Sequence, residues 1–263
     1  MSSKRLAAFS GALTVNDAGD VLTLTTQNGI SGTFDSATGA LTISGTASLA
    51  SYQIALRSIT YYSTSENPTV ISSSRTITWI VTDANSESLG SQTSSGVSSS
   101  ITITALSDAP VVTAGSTLTY TENGSAAVID NAITLSDPDD IELSGASVTI
   151  HSSGFTAGDV LTLATQNGIS GTFDSATGVL TISGTASLAN YQTALRSITY
   201  HTTSDDPTLT SNTRTITWIV TDANSDGLGA ANSSGVTSTI NITALSDAPV
   251  VTAGSTLSYT ENG

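Results

Sequence analysis

The residues in this sequence whose types and spacing can do chemistry are its carboxylates. Asp108, Glu122, Asp137, Asp139 and Asp140 fall within residues 106–140, LSDAPVVTAGSTLTYTENGSAAVIDNAITLSDPDD. Ionised carboxylates brought together repel one another unless a cation or an arginine stands among them. The chain has 21 acidic residues against 6 basic ones, so basic side chains are too few for that task. Oxygen ligands of this kind suit a hard divalent cation, which gathers about 6 to 8 of them from carboxylates, carbonyls and water.

Other chemistry is poorly supplied. His151 and His201 are the only histidines, no cysteine is present, and no serine lies in a nucleophile-elbow motif. No carboxylate pair is singled out as a glycosidase pair, so no enzymatic activity is expected. The lack of cysteine excludes disulfides and thiolate metal sites. A small secreted domain without disulfides needs another staple, and a bound metal ion is one. The net charge of -15 argues against nucleic acid or an anionic membrane as partner. No apolar run approaches the roughly 20 residues of a transmembrane helix, so no membrane insertion is expected. Residues 1–18 open with MSSKR and a short, moderately apolar stretch. That pattern loosely imitates a signal peptide, and it also reads as an N-terminus running into a strand.

The elements that must position the carboxylates come in copies. TQNGISGTFDSATG occurs at 26–39 and 165–178, RTITWIVTDANS places Trp79 against Trp218, and LSDAP and YTENG each occur twice. All are offset by 139 positions, and about 70 of roughly 90 positions from 20 to 110 are identical to their counterparts. His201 falls opposite Tyr62, so the pattern does not require an imidazole there. Residues 250–263 repeat 111–124 with one change, Ser258 for Thr119. The domains therefore read as 1–106, a repeat lacking its opening strands; 110–245, a complete repeat; and 249–263, the opening strand of a further one.

In the complete repeat, strands are expected at 118–121, 132–135, 146–151, 159–165, 171–174, 179–183, 197–202, 213–221 and 236–244, from apolar alternation between turn signals. Asn167-Gly168 is a turn. Leu188, Tyr191 and Leu195 have helical spacing behind Ser187 as a cap, which predicts one short helix at 187–196. Ile216, Trp218 and Val220 share one strand face. The expected fold is all-β: two tandem Greek-key β-sandwich domains with one short helix each.

These motifs, in this order, resemble the tandem cadherin-like (Ig-like) repeats of large bacterial surface adhesins. YTENG resembles the opening strand, LSDPDD the Asp-x-Asp motif, FDSATGVL a strand turn, VTDANSDG the late-strand Asp, and LSDAP a reduced interdomain linker. The resemblance implies Ca²⁺ at domain junctions, one or two ions each. Asp108 would come from the linker, and Asp137, Asp139, Asp140 and Asp222 from the top of the following domain. Glu122 would lie at the base of its own domain and meet Asp247. Where the family adds an acidic motif at the domain base, this chain has ISGTASL at 182–188, which lowers the expected ion count. The implied setting is extracellular, at a cell surface.

The resemblance also implies a structural and adhesive role, with copies of the chain as partners. The first repeat lacks an opening strand and 250–263 is one without a domain, so strand addition between molecules, head to tail, is expected to build filaments. Glu261 would then approach Asp108, Asp137 and Asp139 of the next copy. The plainer expectation is an excerpt of a longer array in which residues 1–13 fill in. An alternative function is a carbohydrate-binding module of a secreted bacterial protein, holding surface glycans on Tyr61, Tyr62 or Trp218.

Overall fold

A computed structural model describes residues 5–13, 18–85, 88–224, 227–256 and 258–261. The chain divides into two units, Met1–Asp108 and Ala109–Gly263. The first contains β1 (Arg5–Leu13), β2 (Asp20–Thr23), β3 (Ser31–Asp35), β4 (Ala40–Ser48), α1 (Leu49–Arg57), β5 (Thr60–Ser63), β6 (Ser74–Asp83) and β7 (Val97–Thr102). The second contains β8 (Val111–Thr113), β9 (Thr117–Thr121), β10 (Ala127–Val128), β11 (Thr134–Ser136), β12 (Glu142–Ile150), β13 (Asp159–Thr162) and β14 (Ser170–Asp174). It continues with β15 (Val179–Ser187), α2 (Leu188–Arg196), β16 (Thr199–Thr202), β17 (Thr213–Asp222) and β18 (Val236–Thr243).

In the second unit a six-stranded sheet, ordered β14-β15-β12-β17-β18-β9, faces the strands β10-β16-β13 and the pair β11-β8. One core joins the layers, with Val148, Ile182, Trp218 and Ile240 from the large sheet and Val112, Ile133, Leu161 and Tyr200 from the other side. Alternation explains the assignment of faces: Ile216, Trp218 and Val220 on β17 are buried, with the half-buried Thr217 and Ile219 between them. Asn167 and Gly168 have φ of 51° and 79°, the left-handed pair of a primed hairpin turn, and Gln166 and Ile169 exchange backbone hydrogen bonds across it. Helix α2 starts where Ser187 Oγ accepts the Asn190 amide, and it buries Tyr191, Ala194 and Leu195. Those positions make one helical face.

The first unit has the same plan minus part of it. Its large sheet is β3-β4-β1-β6-β7, with β2-β5 opposite. Strand β1 takes the place of β12: Arg5 pairs with Ser48 and Leu6 with Asp83, as Glu142 pairs with Ser187 and Leu143 with Asp222. Residues 5–13 thus supply a central strand, while counterparts of β8 to β11 are missing among the described residues. The core is smaller, and Trp79 and Val81 are half-buried where Trp218 and Val220 are fully buried. Residues 250–256 and 258–261 form no strand and are exposed, although their sequence repeats that of β8 and β9.

The structure shows what seats β8 and β9. The chain crosses from one sheet to the other at Gly115, φ 152°. There the Asp130 carboxylate accepts hydrogen bonds from the amides of Gly115, Ser116 and Ala132 and from the hydroxyls of Ser116 and Ser238. Burial pushes the Asp130 pKa up, but the hydrogen bonds from Ser116, Gly115 and Ser238 outweigh it and hold the carboxyl below its ordinary value. A depressed carboxylate pKa stabilises the fold above the unfolded-state value and that stability is lost on acidification below about pH 4. Asp130→Asn is expected to cost about 2 kcal/mol, since it turns acceptor oxygen into a donor facing donors. Urea unfolding followed by Trp218 emission measures this, because the Trp218 indole N–H donates to the same Ser238 hydroxyl.

Candidate metal centre

Pairing register fixes where the acidic motif lies. Strand β11 runs antiparallel to β8, with Ser136 opposite Val111, so Asp137 emerges beside the point where the chain enters the second unit. Asp222 ends β17 opposite Leu143, close behind Asp140 in the fold. Oxygens of Asp137, Asp140 and Asp222 all lie within 4.8 Å of one another, and Asp140 and Asp222 are buried.

The three groups are held differently. Asp222 accepts the amides of Asn224 at 2.9 Å and Ala231 at 2.6 Å, which ties the loop after β17 to the cluster. Asp137 Oδ1 accepts the amides of Asp139 and Asp140 at 3.2 and 3.0 Å, an Asx turn. Its other oxygen, Oδ2, is buried with no hydrogen-bond partner. Burial, and then the neighbouring Asp139, push Asp137 up to about 6, against hydrogen bonds from the Asp140 and Asp139 amides. A carboxylate oxygen left bare beside other carboxylates is the electrostatic signature of a site that a cation would relieve. All-oxygen donors and three negative charges fit Ca²⁺, with carbonyls and water completing the shell.

The other candidate residues are placed as follows. Asp139 is half-buried in the 137–140 turn but stands outside the three-oxygen group. Glu122 is at the opposite end of the unit: its amide donates to Thr243 O and its Oε2 accepts the Leu245 amide at 2.7 Å. Its Oε1 is buried with no hydrogen-bond partner. Glu122 therefore grips the outgoing linker through a backbone amide, and Asp247, farther along that linker, is exposed. Asp108 closes the first unit and is half-buried, and Glu261 is exposed. In the first unit Asp83 takes the Asp222 position and accepts the Asn85 amide, without a counterpart of 137–140 among the described residues.

Two features were missed by sequence reasoning. One is Asp130, a lone acid in AVIDNAIT with no spacing to mark it. The other is a buried triad present in both units. Arg214 binds Asp159, whose Oδ1 accepts the Tyr200 hydroxyl at 2.6 Å, and Arg75, Asp20 and Tyr61 repeat it. Burial, then the hydrogen bond to Asp159, hold the Tyr200 hydroxyl above its ordinary pKa. The aromatic platform for sugars is corrected by the same packing. Trp218 is fully buried on the core face of β17, and Tyr61 has its hydroxyl on Asp20, which leaves Tyr62 as the exposed member.

No family model matches the chain. A stretch of 106 residues is 41% identical to Halomucin of Haloquadratum walsbyi, covering 38% of this chain and 1% of that protein. The chain thus spans about 1% of the length of that relative. Among solved structures, the chain is similar to cadherin extracellular domains. Protocadherin Gamma B2 domains 1–5 match over 87% of this chain and 34% of that one, at 13% identity and a TM-score of 0.34. Mouse Protocadherin-24 EC1-3 matches over 89% and 58%, at 15% identity and 0.31. Drosophila N-cadherin EC1-4 matches over 87% and 42%, at 11% identity and 0.27. Among the described residues no helix is long and apolar enough to cross a membrane.

Proposed function

We propose that the chain is a calcium-binding, extracellular structural and adhesive repeat protein, with copies of itself as partners. The carrying observation is the Asp137, Asp140 and Asp222 group with its bare Asp137 Oδ2. Asp137, Asp140 and Asp222 hold the ion, and Asp139, in the same turn, is the acid available to extend the shell. Charge neutralisation there would lock the 137–140 turn, the loop after β17 and the incoming chain into one geometry. That converts a repulsive cluster into a rigid end for the repeat, which suits a spacer that transmits force. The acidic composition and the repeat with a period of 139 residues support a tandem array of such domains.

Isothermal titration with CaCl₂ at pH 7.5 tests the reading. One ion is expected at the complete unit, and Asp222→Asn is expected to weaken binding at least about tenfold, as loss of a charged ligand should. Absence of calcium heat with the native chain, or equal affinity in the variant, contradicts it.

A further inference from the structure

The asparagines of the second unit carry a motif that the metal centre does not use. Asn followed two residues on by Ser or Thr, with any residue but Pro between, is the acceptor pattern for an N-linked glycan. It occurs as Asn123-Gly124-Ser125, Asn232-Ser233-Ser234 and Asn241-Ile242-Thr243. In the first unit positions 232 and 241 correspond to Thr93 and Thr102, and Pro68 disqualifies Asn67-Pro68-Thr69. The structure separates the three matches. Asn241 lies within β18, paired with Thr213 on one side and Thr119 on the other, so its backbone is held in two ladders and cannot enter a transferase. Asn232 bridges to Thr221 and its Oδ1 accepts the Thr221 hydroxyl at 2.7 Å, while the next residue, Ser233, is buried with its Oγ accepting the Val220 amide. Asn123 is free of such ties. The chain leaves β9 in a turn, with the Gly124 amide donating to Thr121 O at 3.0 Å and Asn123 at the third position with φ 61°. The buried Tyr120 supports the turn, its hydroxyl donating to Gly124 O at 2.6 Å. A Cβ on Gly124 would lie 2.7 Å from Thr121 O, so glycine is required there. Asn123, Gly124 and Ser125 are all exposed, and residues 124–126 belong to no strand.

We infer that Asn123 is an N-glycosylation site, taking a saccharide from a polyprenyl diphosphate-linked donor. Asn123 Nδ2 attacks the anomeric carbon, the bond from that carbon to the lipid's phosphate oxygen breaks, and the lipid diphosphate leaves with the electron pair. The amide nitrogen gives one proton to a base of the transferase, and no oxidant or reductant is needed. The Ser125 hydroxyl is the group the enzyme recognises beside the amide. Both groups stand on the exposed turn, outside the ladders that hold Asn232 and Asn241. The glycan stands at the end of β9, the last strand in the order of the six-stranded sheet, where it shields an open edge from pairing with other chains. The neighbouring Glu122 grips the outgoing linker through the Leu245 amide, so this turn is at the end of the unit opposite the Asp137 group. Sugar and ion therefore occupy different ends and do not compete.

The inference rests on the extracellular part of the reading above, because lipid-linked saccharides are transferred on the non-cytoplasmic face of a membrane. The test is transfer in vitro to the folded full chain, using a purified oligosaccharyltransferase whose acceptor rule is the bare Asn-x-Ser/Thr and a polyprenyl diphosphate-linked oligosaccharide. Glycopeptide mass spectrometry with electron-transfer fragmentation then places the sugar. The same reaction is run on Asn123→Gln, on Ser125→Ala, which keeps the Asn123 side chain and its left-handed backbone, and on the full chain unfolded in urea and diluted into the assay. The folded chain is expected to carry its glycan on Asn123, and both variants are expected to lose it. The freshly diluted unfolded chain is expected to accept sugar at Asn232 and Asn241 as well, since the strands that hold them are then open. Calcium titration of Asn123→Gln is expected to match that of the native chain. Because the purified enzyme needs no export of the chain, a failed transfer counts against Asn123 as acceptor and leaves the location and the ion to their own tests. A folded chain without sugar on Asn123 overturns the inference, even if the unfolded chain accepts it there. Transfer to Asn232 or Asn241 of the folded chain in preference to Asn123, or a glycan on Asn123 that survives Ser125→Ala, also overturns it.

Discussion

Arg214→Met is expected to destabilise the second unit by about 3–5 kcal/mol, the cost of leaving a buried charge without its partner. Both side chains of the Arg214–Asp159 pair are fully buried. The guanidinium Nε donates to Asp159 Oδ2 at 2.6 Å, and its terminal nitrogens donate to Ser211 O at 2.7 Å and Pro207 O at 2.6 Å. Removing it strands Asp159 with the Thr156 amide and the Tyr200 hydroxyl, and takes the guanidinium donor from the buried Pro207 carbonyl and the part-buried Ser211 carbonyl. The loop at 203–212 loses its tie to the sheet in the same step. The double replacement Arg214→Met with Asp159→Leu is expected to recover part of the loss, because no charge then remains buried. Urea unfolding monitored by Trp218 emission measures both. A loss under about 1 kcal/mol for the single variant would show that water reaches Asp159, against the burial described.

The second large effect concerns the ion. Calcium at 100 to 1,000 times its Kd is expected to raise the stability of the second unit by about 3–4 kcal/mol. The pH dependence has a definite sign. Asp137 is raised in the folded protein to about 6, above its ordinary value of 3.8. The ion-free fold therefore holds a proton that the unfolded chain does not, and its stability falls as pH rises from about 4 to 6 and stays reduced above. With calcium the order reverses, since proton and ion compete for the same oxygens and binding weakens below about pH 6.

Much of this architecture was legible because it rests on local signals. Alternation along 213–222, the Asn167-Gly168 turn and the Ser187 cap each act within a few residues, and the structure has a strand, a hairpin turn and a helix there. The acidic turn at 137–140 was legible as chemistry for the same reason. What stayed hidden depends on partners far apart in sequence. Arg214 and Asp159 are 55 residues apart, Asp130 and Ser238 are 108 apart, and Glu122 engages a backbone amide 123 residues on, which no side-chain pattern reveals. The clearest lesson is the duplicated segment. Residues 111–122 carry β8 and β9, while the described residues of the nearly identical 250–261 form no strand. Strand formation here is set by having β11 and β18 to pair with, and propensity alone does not supply it.

The central claim, an ion held by Asp137, Asp140 and Asp222, is tested most directly by thermal unfolding at pH 7.5 in saturating calcium and in EDTA, on the native chain and on Asp222→Asn. The account predicts a rise of roughly 6–15 °C for the second unit in calcium, most of it lost in Asp222→Asn. A difference of about 2 °C or less between calcium and EDTA, which is the scale of non-specific surface effects, would contradict it.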